Sequence, residues 1–290
     1  NTYYFKNSLA GGAADQVISY GKKTDTVLTG DWNGDKKDTL AVRRGNTYYF
    51  KNSIAGGYSD KVISYGKSTD NVIVGDWDGN STDTLGVRRA PVTYSGILSN
   101  IANSKTATKT NQIIGVVAQG SYATVYLFEK KDGAWSTILS AKGRVGKNGI
   151  GKSTEGDGKT PRGSYTLGFA FGTGTNPGTK VAYKQITEKS YWISNVNDSE
   201  YNTWQERSSS SKKDEHLIKY PVQYKYAMVI NYNASRIKNK GSAIFLHCNG
   251  TGYTAGCVSV PQSTMLTLLK TISNKAYIMI GNSAGELQSY

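Results

Sequence analysis

The chain has 290 residues, room for about two domains, and it carries 33 glycines, 21 tyrosines and only 5 prolines. An apolar share of 37% rules out a wholly disordered chain. A mean hydropathy of −0.49 argues against a membrane-embedded one, as does the lack of any apolar run near the ~20 residues that span a bilayer. Of the net charge of +14, residues 1–90 carry +2 and residues 91–290 carry +12. The basic second part expects a polyanionic environment such as an anionic wall polymer. It is not a nucleic-acid reader, because the basic residues are scattered and no reader module is present. Asn1 opens the chain without Met or an apolar leader, so a processed product with its export signal removed is expected. Abundant Thr, Tyr and Val with glycine turns predict a mainly β fold.

In chain order, the first feature is a repeat. Asn1–Gly45 and Asn46–Ala90 align without a gap and differ at 14 of 45 positions. Each unit contains four short β signals, in the first unit Thr2–Phe5, Val17–Tyr20, Val27–Thr29 and Thr39–Val42. Gly-Gly, Gly-Lys and Asn-Gly turns separate them. A four-strand unit of this period predicts a propeller-like blade, and two blades are too few to close a propeller. Gly30-Asp-Trp-Asn-Gly-Asp35 and Gly75-Asp-Trp-Asp-Gly-Asn80 resemble the turn of FG-GAP/VCBS-type repeats of secreted and surface proteins. Asp31, Asn33, Asp35 and Asp38 correspond to Asp76, Asp78, Asn80 and Asp83. Oxygen side chains at this spacing around a glycine turn suit calcium, which takes six to eight oxygens. The same residues also suit a plain hairpin turn, where Asn-Gly and Asp-Gly are chosen for positive φ.

Residues 91–110 are rich in Ser, Thr, Asn and Ala without sustained periodicity and read as a linker. A second domain is expected over 111–290. In it, Thr124–Phe128 and Trp135–Ser140 predict a hairpin across Lys131-Asp132-Gly133. Tyr226–Tyr232, Ala243–His247 and Ala276–Ile280 predict buried strands. Ser263 is placed to cap a short helix with an apolar stripe of Met265, Leu268, Leu269 and Ile272.

The chemistry concentrates in one segment. The chain holds two histidines, His216 and His247, and two cysteines, Cys248 and Cys257. Three of the four fall in Ser242–Pro261, where an apolar strand ends at His247 and a glycine-rich loop leads to Cys257. A thiolate needs a nearby base to form at neutral pH. Gly256, with Ala255, lets main-chain N–H groups turn toward a developing oxyanion. Nucleophile, base and oxyanion donors together are the parts of acyl transfer. A disulfide between Cys248 and Cys257 is the alternative that would silence the thiol, and Cys248 by itself reads as a small buried apolar residue. His216, Glu155, Asp157 and Asp198 read as packing, turn or charge-pairing residues, while Trp192 and Trp204 suit either a groove or the core.

His247, the Thr254-Ala255-Gly256-Cys257 element and Thr160-Pro161-Arg-Gly163 resemble the L,D-transpeptidase, YkuD-type, catalytic domain over about residues 111–282. The commoner family form has His before Gly-Cys, where Ala255 stands, and Arg or Asn two residues after the cysteine, where Ser259 stands. The resemblance implies Cys257 as nucleophile, His247 as general base, and a main-chain carbonyl just after His247 as the orienting group. It also implies no cofactor for catalysis, and a substrate groove involving Tyr201, Asn202, Tyr253 and Thr254. The substrates it implies are peptidoglycan stem peptides, handled by a bacterial enzyme that is secreted or associated with the wall. The outcome is transpeptidation, or carboxypeptidase or endopeptidase hydrolysis. A rival class is a non-catalytic surface- or wall-binding protein with a degenerate enzyme domain. A zinc hydrolase is disfavoured, since two histidines without clustered acids make a poor zinc site. In the cysteine reading His247 is expected to draw off the thiol proton and populate the thiolate below the free-cysteine pKa of about 8.5.

Overall fold

The computed structural model describes residues 1–90 and 92–290; Pro91, the first residue of the expected linker, lies outside them. The chain divides into two compact units, Asn1–Val92 and Thr93–Tyr290.

In the first unit each repeat makes its four strands where the β signals lie. They are β1 (Thr2–Phe5), β2 (Gln16–Ser19), β3 (Thr26–Gly30) and β4 (Thr39–Arg44), then β5 (Thr47–Phe50), β6 (Lys61–Ser64), β7 (Asn71–Gly75) and β8 (Thr84–Arg88). The pairing does not follow the repeat boundary. β3-β4-β5-β6 form one antiparallel sheet, while β1-β2 and β7-β8 remain two-stranded. The expectation of one four-strand blade per repeat is thus corrected: the blade takes its halves from neighbouring repeats. The physical reason is the turn. Gly45 at φ 62° reverses the chain within two residues between β4 and β5, so the tightest hairpin spans the junction. The same ion pair recurs in both repeats. Arg44 clamps the buried Asp25 through two N–H groups at 2.9 and 2.7 Å, and Arg89 clamps Asp70 at 2.8 and 2.7 Å. The Arg89 guanidinium and the Lys67 N–H hold the Asp70 carboxyl down to about 2.

The passage read as a linker is structured. Gly96–Ala102 forms α1, and Ile101 is buried against Ile113, Phe128 and Met279 of the second unit. Its small polar residues hide the helix from a composition argument because only one side of a short helix needs apolar groups.

The second unit is a closed β barrel with short helices. Its strands are β9 (Gln112–Gln119), β10 (Tyr122–Lys131), β11 (Ala134–Arg144), β12 (Gly163–Gly172), β13 (Tyr183–Gln185), β17 (Ala227–Ile230), β18 (Phe245–Cys248), β19 (Val258–Val260) and β20 (Tyr277–Gly281). A separate small sheet is made of β14 (Ser190–Trp192), β15 (Trp204–Glu206) and β16 (Glu215–His216). The barrel order is β12-β17-β18-β19-β11-β10-β9-β20, and β20 pairs back onto β12 to close it, with β13 added beside β12. The β10–β11 hairpin turns at Asp132 (φ 52°) and Gly133 (φ 85°), the positive-φ pair that matches strand twist.

Helix α2 (Gln262–Thr271) buries Met265, Leu268 and Leu269. It starts two residues earlier than expected, with Pro261 at its N-cap in place of Ser263 and no side-chain cap, and Ile272 follows it in extended conformation. A final helix, α3 (Ala284–Gln288), is capped by the Ser283 hydroxyl. Two apolar clusters flank the β17–β18 region. One holds Met228, Leu246 and Cys248, and the other holds Val229, Phe245 and Cys257.

Candidate active site

Strand alternation sorts the reactive residues. Along β18, Phe245 and His247 face one side, and Leu246 and Cys248 face the other. β19 runs parallel beside it with His247 opposite Ser259, so Cys257, just before β19, returns beside the His247 face. Cys257 packs with Phe245, while Cys248 packs with Leu246 in the opposite cluster. Both cysteines are free and buried. The disulfide alternative is thereby corrected: the two thiols belong to opposite faces of the strand layer.

The loop from Cys248 to Cys257 is fixed by short polar contacts. Ser259 Oγ donates to Asn249 Oδ1 at 2.8 Å. Thr254 Oγ1 donates to the Cys257 carbonyl at 2.6 Å and accepts the Gly256 N–H at 3.2 Å. Thr160 Oγ1 donates to the same Cys257 carbonyl at 3.0 Å and accepts the Gly146 N–H at 2.8 Å. The Thr160-Pro161-Arg-Gly163 segment thus clamps the main chain of Cys257, a contact that its sequence did not disclose. Gly256 is required by space: a Cβ there would stand 3.0 Å from the Lys159 carbonyl oxygen. Its N–H is engaged by Thr254 and closes the loop rather than facing the cleft. Ala255 is exposed beside it.

His247 Nδ1 lies 2.7 Å from the carbonyl oxygen of Cys248. A carbonyl only accepts, so Nδ1 carries the proton and the Nε2 lone pair is left free as a base. Burial pulls the imidazole down to about 4, with the Cys248 carbonyl acting against it. Cys257 Sγ takes the Phe245 N–H at 3.3 Å and directs its own proton to the Ala243 carbonyl at 3.3 Å. Burial pushes this thiol far above the usual cysteine range. The Glu215 charge adds to the rise, and the Phe245 N–H and Lys152 ammonium oppose it. Both shifts run against the expected resting thiolate and favour a neutral thiol beside a neutral imidazole.

These groups line a cleft of about 470 Å³. Two residues absent from the sequence reading stand in it. Lys152, almost fully buried, is paired with Asp157 at 2.9 Å. Burial works against the Asp157 charge, yet the N–H groups of Ser153, Lys159 and Thr154 and the Lys152 ammonium hold its carboxyl near about 2. Glu215 accepts the Tyr224 hydroxyl, and the Tyr224 ring stands edge-on to His247 at 5.4 Å. Neither Lys152 nor Glu215 carried a motif; they stand in plain Gly-Lys-Ser-Thr and Asp-Glu-His runs.

The other expected residues separate. Tyr253 is 64% exposed on the cleft wall, and Thr254 is buried in it. Tyr201 and Asn202 lie behind the wall instead of along a groove. The Tyr201 hydroxyl donates to Glu155 at 2.5 Å and accepts the Gly241 N–H. Asn202 accepts from Trp192 Nε1 and Ala243 N and donates to the Tyr232 and Asn233 carbonyls. Both residues stiffen the approach to β18. His216 stacks on Tyr191 with ring centres 4.2 Å apart, and its Nε2 meets the Glu188 carbonyl at 2.7 Å, which leaves it outside the cleft. Asp198 pairs with Arg207 at 2.7 Å.

A match to the model of the YkuD family, the L,D-transpeptidase catalytic domain, runs over residues 113–280. The chain belongs to this family. Among solved structures, this YkuD chain is similar to Bd1075 of Bdellovibrio bacteriovorus at 16% identity and a TM-score of 0.34, over 64% of this chain and 55% of that one. It is also similar to the K307A mutant of Pgp2 of Campylobacter jejuni, a helical cell shape determining protein. That match has 18% identity and a TM-score of 0.36, over 66% of this chain and 59% of that one. The chain thus spans a little over half the length of the solved structures it matches. No curated protein sequence matches. The family acts on peptidoglycan. Among the described residues no helix is long and apolar enough to cross a membrane.

Cys248 has no part in the cleft, and its Sγ bonds only to the Tyr226 carbonyl at 3.4 Å. Cys248→Ala is expected to lower stability by about 1 kcal/mol through a small cavity and to leave turnover of stem peptides unchanged. A large loss of turnover at intact fold would assign Cys248 a chemical role.

The acidic turns of the repeats are folded around their own main-chain N–H groups. The Asp31 carboxylate accepts the N–H groups of Asn33, Gly34, Asp35 and Lys36, and Asn33 donates its own amide to Asp35. Asp76 likewise accepts from Gly79, Asn80 and Ser81, and Asn80 donates to Asp78. Asp83 leaves its own loop and accepts the Asp31 N–H at 2.9 Å. Among the described residues, no three His, Cys, Asp or Glu side chains gather as a metal-holding group. Each loop thus turns the oxygens of three side chains inward, Asp31, Asn33 and Asp35 or Asp76, Asp78 and Asn80, and several already accept main-chain N–H groups. Chelation of divalent cations is expected to leave the melting of residues 1–90 unchanged. A lower melting temperature, restored by calcium, would show ligand-linked stability instead.

Proposed function

We propose that this YkuD protein is an exported bacterial wall enzyme that acylates Cys257 with a peptidoglycan stem peptide. His247 Nε2 takes the Cys257 proton as Sγ attacks the carbonyl of the stem's diamino-acid residue. The peptide bond then breaks, and the proton passes from the imidazolium to the departing amine of the terminal D-amino acid. A thioester remains on Cys257. An amine of a second stem resolves it as a transpeptidase, or water resolves it as a carboxypeptidase or endopeptidase. No cofactor enters these steps.

The observation that carries this reading is the Nδ1–carbonyl contact at Cys248, which fixes the tautomer and leaves a base on the nucleophile's face. A main-chain carbonyl orients the ring without placing a second full charge beside it, which suits an imidazole that must stay neutral at rest. The excess positive charge of residues 91–290 suits an anionic wall, and the repeats would retain the enzyme at the surface. The test is mass spectrometry of the intact protein after incubation with a tetrapeptide-stem muropeptide. The expected adduct on Cys257 has the mass of the stem less its terminal D-amino acid. An unmodified Cys257 under turnover conditions would overturn the reading in favour of a non-catalytic wall-binding protein.

A further inference from the structure

The cleft is lined by three carboxyl groups among the described residues, Glu155, Asp214 and Glu215. Asp214 is satisfied on both oxygens: it accepts the N–H groups of Ser194 and Asn195 on one, and the Ser210 hydroxyl and Ser211 N–H on the other. Glu155 takes the Tyr201 hydroxyl on one oxygen. Glu215 is like Glu155 in this, but its tyrosine partner is the one whose ring meets His247. Its Oε1 takes the Tyr224 hydroxyl, and its Oε2 has no partner among the described residues. Of the cleft's lysines, Lys152 is held by Asp157, while Lys212 and Lys213 line the cleft without an ion pair to Glu215.

Strand alternation in β16 puts Glu215 into the cleft, while His216 turns away onto Tyr191. Glu215 is close enough to Cys257 for its charge to raise the thiol. Burial lifts the Glu215 carboxyl to about 7, with the Tyr224 hydroxyl acting against the rise and the Glu155 charge adding to it. A buried carboxylate without a cation is costly, and a ligand that brings the cation removes that cost.

The geometry points to Glu215 as the subsite for a primary ammonium carried by the peptide substrate, held beside Cys257 and His247. The inference rests on the stem-peptide reading above. A stem offers this group in two ways: as the side-chain ammonium of the acyl donor, and as the attacking amine of the acyl acceptor before it loses its proton. A lysine or arginine ion-paired to Glu215 would block both, and among the described residues none is. Tyr224 is the positioning residue. Its hydroxyl fixes one carboxylate oxygen, and its ring supports His247.

Two measurements on the full chain separate the sources. In the first, Cys257→Ala binds a tetrapeptide stem with its side-chain amine free, or the same peptide acetylated on that amine, and affinity is read by calorimetry. If the donor supplies the ammonium, the free amine binds about tenfold tighter or more, and the preference vanishes when Glu215→Gln is added while the acetylated peptide binds as before. In the second, the thioester preformed on Cys257 partitions between an amine acceptor and water. If the acceptor supplies the ammonium, Glu215→Gln shifts that partition about tenfold or more toward water.

A change in either measurement supports the subsite and names its source. Equal binding of the two peptides together with an unchanged partition overturns it. Loss of binding for both peptides alike would make Glu215 a structural residue and likewise overturn it. Glu215→Asp, which keeps the charge but draws it back by one methylene, is expected to retain part of the preference, so that lost charge and lost packing are told apart. The binding measurement needs no thioester. A Cys257 that never acylates would overturn the proposed chemistry while still reporting on Glu215.

Discussion

Cys257→Ala is expected to abolish thioester formation and stem-peptide turnover while leaving the fold intact. Of the two thiols, Cys257 is the one on the His247 side, since Cys248 sits in the opposite cluster. Alanine removes one sulfur from a site where Sγ bonds only to the Phe245 N–H and the Ala243 carbonyl, so the expected loss of stability is about 1 kcal/mol. The clamp on the Cys257 carbonyl by Thr160 and Thr254 is main-chain and survives the change. The measurements are intact-mass spectrometry, release of the terminal D-amino acid, and thermal melting. Residual turnover equal to that of the unmutated protein would end the nucleophile assignment.

His247→Gln is the second large effect. The amide side chain can still donate to the Cys248 carbonyl, so the local fold is kept while the base is lost. The acylation rate is expected to fall by about two to four orders of magnitude at neutral pH, the usual contribution of general-base help. Because burial holds the Cys257 thiol well above the ordinary range, recovery of the mutant with rising pH should begin only beyond the free-cysteine pKa of about 8.5.

The unmutated enzyme should in turn lose activity toward acid as His247 protonates near 4. Its stability follows the same sign. The folded imidazole titrates below its unfolded value, so the unfolded chain binds more protons, and stability present above about 6.5 is lost as the pH falls through about 4. In His247→Gln that acid-side loss should shrink. Acylation rates that coincide for the two proteins at every pH would mean that His247 does not accept the thiol proton.

The sequence by itself determined the parts whose causes are local. The strand signals of the repeats, the Asp132-Gly133 hairpin turn and the apolar run ending at His247 each depend on neighbours a few residues away, and each formed where its pattern lies. That His247 and Cys257 belong to one strand–loop–strand passage was legible for the same reason, and a period of two separates His247 from Cys248, but the side on which Cys257 returns was set by the parallel pairing of β18 with β19.

What only the tertiary structure decided depends on segments brought together by barrel closure. Glu215 and Tyr224 reach the cleft from the small sheet and the turn before β17, and Thr160 reaches the Cys257 carbonyl across 97 residues. No spacing rule connects such positions. The repeats make the same point in another way. Forty-five-residue periodicity fixed the strands, but hydrogen bonding across the Gly45 turn chose which halves form a blade. The electrostatics of His247 and Cys257 also depend on the fold. The residue types pointed to a thiolate, and burial, a property of packing and not of sequence order, pushes the thiol up and the imidazole down.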